Sequence, residues 1–160
     1  MATRWLSPDE QAVWRAYILA TLQVDRELDR QLQRDADMPV ALYAVLVALS
    51  EAPERRMRMR ELADALSSSQ SRMTHAVASL ERRGWVRREE CPTDRRGQFA
   101  VLTDAGFAAL EAAAPGHVEA VRKHLFDRLS PEEQAQLRTI CERLLDGSPQ
   151  ATAWPWAALR

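Results

Sequence analysis

The stretch Met73–Thr103, MTHAVASLERRGWVRREECPTDRRGQFAVLT, decides the fold that this sequence predicts. It begins with the apolar spacing of a helix, which ends at Gly84 because glycine commonly follows the last turn of a helix. Two strand-like runs follow, at residues 85–90 and 98–102, and a charged loop over residues 91–97 joins them. A helix that leads into a basic hairpin is the outline of a winged helix-turn-helix, which predicts a surface for DNA.

The residues before this stretch complete the helix-turn-helix. A short helix over 60–66, a turn of three serines and a longer helix over 70–83 form the motif. In such a motif the second helix places its N-terminal residues in the major groove, while Met73, Val77 and Leu80 would face the core. The side chains that we expect to reach base edges or phosphates are Ser69, Gln70, Ser71, Arg72, Thr74 and His75.

The hairpin loop carries the second candidate contact. Arg95 and Arg96 place two guanidinium groups at its tip, and a narrow minor groove attracts arginine through its negative potential. We expect Asp94 to brace the tip through a bidentate pair with an arginine, because a carboxylate that faced a phosphate would be repelled. An ordinary charged turn is the alternative, since Asp and Gly are common turn residues.

The charge of the chain is unevenly divided. The 160 residues carry a net charge of −1, but residues 55–96 contain eleven arginines against six acidic residues. That segment is therefore +5 and the remainder −6, which indicates a local DNA-facing surface on a slightly acidic protein. A solvated face of mixed charge is the alternative.

The composition excludes several classes of protein. The length suits one domain, and the charged fraction of 28% argues against a disordered chain and a membrane protein. The N-terminus lacks the apolar core of a signal peptide, and two cysteines suit a reducing cytoplasm. No phosphate-binding glycine loop, nucleophile elbow or metal-spaced cluster supports an enzyme, and no cofactor is expected.

The terminal helices predict a second copy of the chain. Ser7, Pro8 and Glu10 mark the start of a helix that runs to about Arg34. Its apolar residues span too wide an arc for one small domain to bury, so a homodimer is expected. These residues are Val13, Trp14, Ala16, Tyr17, Ile18, Ala20, Leu22 and Val24.

The expected architecture is mainly α (α+β), a winged helix-turn-helix with long N- and C-terminal dimerisation helices. Within one integrated domain, residues 1–38 form the N-terminal dimerisation helix and residues 39–103 the DNA-binding region. Residues 104–146 form two further dimerisation helices, the first reaching about Leu129 with an irregularity at Pro115. Residues 147–160 are a tail rich in proline and tryptophan that includes Trp154 and Trp156.

Several motifs resemble the multiple-antibiotic-resistance regulator (MarR) family over roughly residues 7–146. They are LADAL at 62–66, LERRGWV at 80–86, DRR at 94–96 and LTDAG at 102–106. The resemblance implies a homodimer that binds palindromic operators in double-stranded DNA. It also implies that Arg96 enters the minor groove, that Asp94 braces the wing and that residues 69–75 read the major groove. Many family members are repressors released by small aromatic or phenolic anions.

A small-molecule site is a weaker expectation. Trp14, Arg15, Tyr17 and Tyr43 could line a pocket in which the arginine holds a carboxylate, and packing in the core and dimer is the favoured alternative. His117 and His124 lack a third partner at metal-binding spacing, so no metal is expected.

Two other functions stay open. The first is a winged-helix protein-interaction module without DNA binding. The second is a thiol-responsive regulator acting through Cys91, although an unreactive thiol in the loop is favoured. Cys141 lies in an apolar-periodic helix and is expected to be buried.

Overall fold

The computed structural model describes residues 2–91 and 94–147, and for residues 94–96 it describes the backbone alone. Short 3-10 turns lie at Pro53–Arg55 and Phe126–Arg128. The helices and strands, in chain order, are α1 (Pro8–Ala36), α2 (Val40–Glu51), β1 (Arg56–Arg58), α3 (Met59–Ala65), α4 (Gln70–Arg82), β2 (Val86–Cys91), β3 (Asp94–Leu102), α5 (Asp104–His124) and α6 (Pro131–Leu145). This order confirms the mainly helical winged helix-turn-helix.

The start of α1 is fixed by a capping box. The Ser7 hydroxyl accepts from the Glu10 main-chain N–H at 3.1 Å, and the Glu10 carboxylate accepts from the Ser7 N–H at 2.7 Å. The helix ends at Asp37, which adopts a left-handed conformation with φ of 47°. Residues 8–17 of this helix are all exposed in the protomer, and only Gln31 and Leu32, near its C-terminal end, are buried.

The hydrophobic core forms around α2. Its sequence is apolar on nearly every side, and Val45, Leu46, Ala48 and Leu49 have no exposed surface. Neighbours from other elements close the core on each side, namely Leu32, Leu62, Met73, Val77, Leu80, Val86, Ala100, Leu102 and Leu110. Burial of these side chains fixes the helix-turn-helix and the base of the hairpin to one core.

The sheet is a three-stranded antiparallel ribbon in the order β1-β3-β2. The hairpin strands are longer than predicted, because β2 includes Cys91 and β3 begins at Asp94, with Cys91 opposite Asp94. The expected loop over residues 91–97 was therefore wrong. The regular pairing of β2 with β3 extends to Glu90 opposite Gln98, and the register shifts between Glu90 and Cys91, so charged side chains do not end the ribbon.

The junction between the hairpin and α5 explains the LTDAG motif. The Thr103 hydroxyl accepts from the Gly106 N–H at 3.0 Å, which caps α5, and donates to the Gly84 carbonyl at 2.7 Å. A Cβ at Gly106 would overlap the main-chain carbonyl of Trp85. Only glycine lets α5 start this close to the turn before β2.

The C-terminal helices differ from the prediction in one boundary. α5 continues through Pro115 but ends at His124, five residues before the expected end at Leu129. The chain then passes through the 3-10 turn to Ser130, which opens α6 in a capping box with Glu133. Every side chain of α6 is exposed or half-exposed in the protomer. None of the helices in the described residues is long and apolar enough to span a bilayer.

Candidate nucleic-acid interface

Helix α4 separates a buried face from a polar face. Met73, Val77 and Leu80 are buried, as the sequence predicted. The opposite face, which begins at the N-terminus of the helix, is exposed and carries all six predicted reading residues: Ser69, Gln70, Ser71, Arg72, Thr74 and His75. Their contact with DNA stays a prediction.

The N-terminus of α4 is capped from within. The Ser69 hydroxyl accepts from the Arg72 main-chain N–H at 3.3 Å, and the Thr74 hydroxyl donates to the Gln70 carbonyl at 2.8 Å. These bonds occupy Ser69 and Thr74. Among the described residues, the side chains of Gln70, Ser71, Arg72 and His75 form no hydrogen bond or ion pair. Those four groups are therefore available to a ligand.

Most arginines of the basic segment are already paired with acids. Six of them lie within 4.0 Å of a carboxylate oxygen: Arg55 with Asp104, Arg56 with Glu54 and Glu89, Arg60 with Asp64, Arg83 with Asp37, Arg87 with Glu89 and Arg88 with Glu81. Within the described part of the chain, Arg72 and Arg82 have no such partner. Fewer arginines are therefore unpaired than the sequence count suggested. One of the unpaired arginines, Arg72, lies at the N-terminus of α4, where the helix dipole favours anions.

Two contacts that the sequence analysis missed hold α4 in place. Arg88 of β2 donates from Nη2 to the Thr74 carbonyl at 3.1 Å. Arg83, which follows α4, donates from Nη1 to the Asp37 carbonyl at 2.9 Å, and its guanidinium lies over the Trp85 ring. Both contacts join residues distant in sequence, so no local pattern could have indicated them.

A groove of about 560 Å³ lies along α3, with Gln70 of α4 on one side and Gly97 and Gln98 of β3 on the other. It is lined by Arg58, Met59, Arg60, Glu61, Asp64, Gln70, Gly97 and Gln98. Gln70 belongs to the predicted reading face and Gln98 to β3, so the groove connects the two elements predicted to enter adjacent grooves of DNA. The side chains of Asp94, Arg95 and Arg96 lie outside the described residues, and their roles stay predictions.

The four residues proposed for a small-molecule pocket do not converge within one protomer. Trp14 and Tyr17 are about half exposed, with ring centroids 6.1 Å apart, and Arg15 donates to the exposed Gln11 at 3.4 Å. Tyr43 is buried on α2 against His117 of α5.

The separation between these groups follows from the length of α1. A Cβ at Gly116, beside His117, would lie 3.1 Å from Gln31 Nε2 near the C-terminal end of α1. Trp14 precedes Gln31 by 17 residues, which corresponds to about 25 Å along the helix. A site that contains both Trp14 and Tyr43 would therefore require a second copy of the chain.

Tyr43, which is buried, packs against the half-buried His117. Their ring centroids are 4.4 Å apart, and the buried His117 Nδ1 has no hydrogen-bond partner within residues 2–91 and 97–147. Burial raises the pKa of Tyr43 and lowers the pKa of His117, since both charged forms lose hydration. The neutral forms of both rings are therefore favoured.

Neither cysteine lies in the environment that the sequence predicted for it. Cys91 belongs to β2 rather than to a loop, and it is buried, because the hairpin continues through it. Cys141 was expected to be buried but is exposed, since α6 lies on the outside of the protomer. Burial of Cys91 argues against a reactive thiol there.

A capped amphipathic helix beside a two-stranded hairpin defines the class of winged helix-turn-helix DNA-binding proteins. Comparison with known proteins then assigns the family. The MarR family model matches residues 36–97. The transcriptional regulator HosA of Escherichia coli O111:H- is 32% identical over 110 residues, which cover 69% of this chain and 79% of HosA. The chain belongs to the MarR family of transcriptional regulators, which are not enzymes.

Two further comparisons extend the likeness. The transcriptional repressor MprA of Escherichia coli K12 is 33% identical over 104 residues, which cover 65% of this chain and only 58% of MprA. The crystal structure of Sco3205, a MarR family transcriptional regulator from Streptomyces coelicolor in complex with DNA, is 55% identical. The aligned region covers 91% of this chain and 91% of Sco3205, with a TM-score of 0.86.

Proposed function

We propose that this chain is a homodimeric, sequence-specific DNA-binding repressor of the cytoplasm that a small aromatic or anionic ligand releases from a palindromic operator. Residues 39–103 bind DNA, and residues 1–38 and 104–146 form the dimer. Residues 69–75 read the major groove, Arg95 and Arg96 reach the minor groove, and Asp94 braces the wing.

The free guanidinium of Arg72 carries the DNA-binding part of the proposal. Its neighbours in the basic segment are mostly paired with carboxylates, whereas Arg72 is exposed at a capped helix N-terminus. An unpaired arginine can form a bidentate contact with guanine without first breaking an ion pair. The similarity to Sco3205, whose structure contains DNA, supports the same assignment.

Exposed apolar surface supports the homodimer. Val13, Leu19 and Leu144 are each about 70% exposed, and Ile140 is half exposed. These residues lie on α1 and α6, at the two ends of the chain, where contiguous apolar surface is costly in water. A second copy that packs α1 and α6 against their equivalents would remove both surfaces from water.

The DNA-binding test compares Arg72→Ala with Arg82→Ala, because both arginines are exposed and neither has an ion-pair partner among the described residues, but only Arg72 lies at the reading end of α4. Fluorescence anisotropy is measured on a duplex selected for tight binding from a randomised palindromic library. We expect Arg72→Ala to weaken binding by about 1–3 kcal/mol, roughly five- to 150-fold. Arg82→Ala should change it less than threefold. Equal losses in the two variants would contradict the assignment of α4 as the reading helix.

The repressor role needs a transcription assay. With the selected duplex placed over a promoter, the wild-type chain should reduce transcript level, and Arg72→Ala should restore it. An increase in transcript level on addition of the wild-type chain would identify an activator instead. If the wild-type chain selects no duplex at all, the alternative of a protein-interaction module gains support.

Ligand release is tested with benzoate and hydroxybenzoates. A ligand that binds the folded dimer raises its melting temperature and should weaken the complex with DNA. Tyr43→Phe and Arg15→Ala then test the two separated parts of the proposed pocket, since the partner copy would have to supply Arg15. No change in melting temperature with millimolar ligand would contradict release by this class of compound.

A further inference from the structure

We propose that Arg88 is a positioning residue that holds the rotation of α4 relative to the wing hairpin, and so sets the discrimination between operator and other DNA. The inference rests on the proposed function, because it concerns how the reading face is held. It assigns to Arg88 a role through α4 and not through contact with DNA.

Arg88 makes two contacts with the same helix. Its Nη2 donates to the Thr74 carbonyl oxygen at 3.1 Å, and its Nε lies 3.4 Å from Glu81 Oε2 in an ion pair outside hydrogen-bond geometry. Thr74 and Glu81 are seven residues apart and so lie on one face of α4. The Thr74 carbonyl points toward the C-terminal end of the helix and the Glu81 side chain leans back toward the N-terminal end, so a single guanidinium reaches both.

The surroundings of Arg88 make it unsuited to phosphate. Its side chain is 26% exposed, and Nε is shut off from solvent. Arg87, the next residue in β2, is 57% exposed and pairs with Glu89 of its own strand. Alternation along β2 therefore gives the two neighbouring arginines different environments, and in the described part of the chain Arg88, unlike Arg87, forms a hydrogen bond and an ion pair with α4.

The position of Arg88 in the sheet makes this contact rigid. Arg88 lies opposite Ala100 of β3 in the antiparallel ladder, and Ala100 is fully buried in the core. The planar guanidinium is consequently anchored to the core through the strand and to α4 through its fork. Lysine has no such fork and could not make both contacts with one fixed geometry.

The contact lies beside the predicted reading face. Thr74 is one of the predicted reading residues, and its hydroxyl donates to the carbonyl of Gln70, another of them. A rotation of α4 about its axis would move these side chains away from base edges. Base contacts carry the sequence information whereas phosphate contacts are sequence-independent, so such a rotation should reduce specific binding more than non-specific binding.

The experiment measures the ratio of affinities for the selected palindromic duplex and for a mixed-sequence duplex of equal length, at several salt concentrations. The variants are Arg88→Gln and Arg88→Lys, with Arg87→Gln as the matched control from the same strand. Circular dichroism and light scattering confirm that each variant is folded and has the mass of the wild-type protein.

We expect Arg88→Gln to lower the ratio about tenfold and to leave the salt slope on mixed-sequence DNA unchanged. Arg88→Lys should also lower it, whereas Arg87→Gln should keep it within twofold. A fall of about one in the salt slope of Arg88→Gln, with recovery in Arg88→Lys, would show a phosphate contact and overturn the proposal. An unchanged ratio in Arg88→Gln would overturn it as well.

If Arg88→Gln does not fold, Arg88→Lys and Glu81→Gln decide the question. Glu81→Gln removes the charge that orients the guanidinium and should lower the ratio two- to threefold. Wild-type ratios in both variants would overturn the proposal. Failure of the wild-type chain to bind either duplex would instead overturn the proposed function, so the two failures are distinguishable.

Discussion

Arg83 donates to the main-chain carbonyl of Asp37 at 2.9 Å, although the two residues are 46 positions apart in the chain. Asp37 closes α1 and Arg83 closes α4, so this bond joins the end of the predicted dimerisation helix to the end of the predicted reading helix. The Arg83 guanidinium also lies 3.7 Å from the Asp37 carboxylate and 5.0 Å from the centre of the Trp85 ring. In a dimer, the distance between the two copies of α4 would depend on this junction.

Replacement of Arg83 by alanine should destabilise the protein. The variant loses a charge-assisted hydrogen bond and a ring contact at a partly exposed site, so we expect a loss of about 1–2 kcal/mol in the free energy of unfolding. Urea denaturation followed by circular dichroism measures it. Arg82→Ala is the matched control, and a loss of equal size there would show that removal of a cation from the C-terminal end of α4, and not the junction, accounts for the effect.

A methyl group at position 106 should damage the junction between the hairpin and α5. The Cβ of alanine would overlap the Trp85 carbonyl and lie 2.8 Å from Leu102 Cδ1, so one of the two backbones must move. We expect Gly106→Ala to cost about 1–3 kcal/mol in unfolding free energy.

Gly116→Ala is the control for this prediction. Its Cβ would meet only the flexible Gln31 and Asp35 side chains, and alanine favours a helix interior. Its stability should equal or exceed that of the wild type. A stable Gly106→Ala variant would contradict the close approach of α5 to Trp85.

Stability should fall as the pH decreases through the range in which His117 gains a proton. Burial lowers the pKa of His117 below its ordinary value of 6.5, so the unfolded chain binds a proton at a higher pH than the folded protein does. Stability is therefore greatest above about pH 6.5 and declines as the pH falls toward the pKa of the folded state.

Melting temperatures at pH 7.5 and 5.5 test this dependence. His117→Phe keeps a ring beside Tyr43 but cannot be protonated, so its difference between the two pH values should be smaller than that of the wild type. His75→Gln, which replaces an exposed ring on α4, should retain the wild-type difference. Equal differences in the wild type and His117→Phe would contradict the role of His117.

The thiol of Cys91 should be unreactive in the folded protein. It is 4% exposed within β2, and a buried thiol is shielded from reagents. In a Cys141→Ser variant, reaction with a chromogenic disulfide should be at least about a hundredfold slower in buffer than in denaturant. Comparable rates in the two conditions would revive the thiol-responsive alternative.

The sequence by itself determined the features that depend on neighbouring residues. The capping boxes at Ser7 and Ser130, the end of α4 before Gly84 and the inward positions Met73, Val77 and Leu80 all follow from local hydrogen bonds or helical periodicity. The winged helix-turn-helix could be predicted because it is a series of such local signals.

The tertiary structure alone decided which charges are free and which side chains are covered. Arg88 reaches α4 through the register of β2 with β3, and Arg83 reaches Asp37 because packing around α2 brings the ends of two helices together. Cys91 and Cys141 were misplaced for the same reason, since burial depends on what packs against a residue from elsewhere in the chain. A local pattern records the preference of a segment, whereas the partner of an arginine is fixed only when distant segments meet.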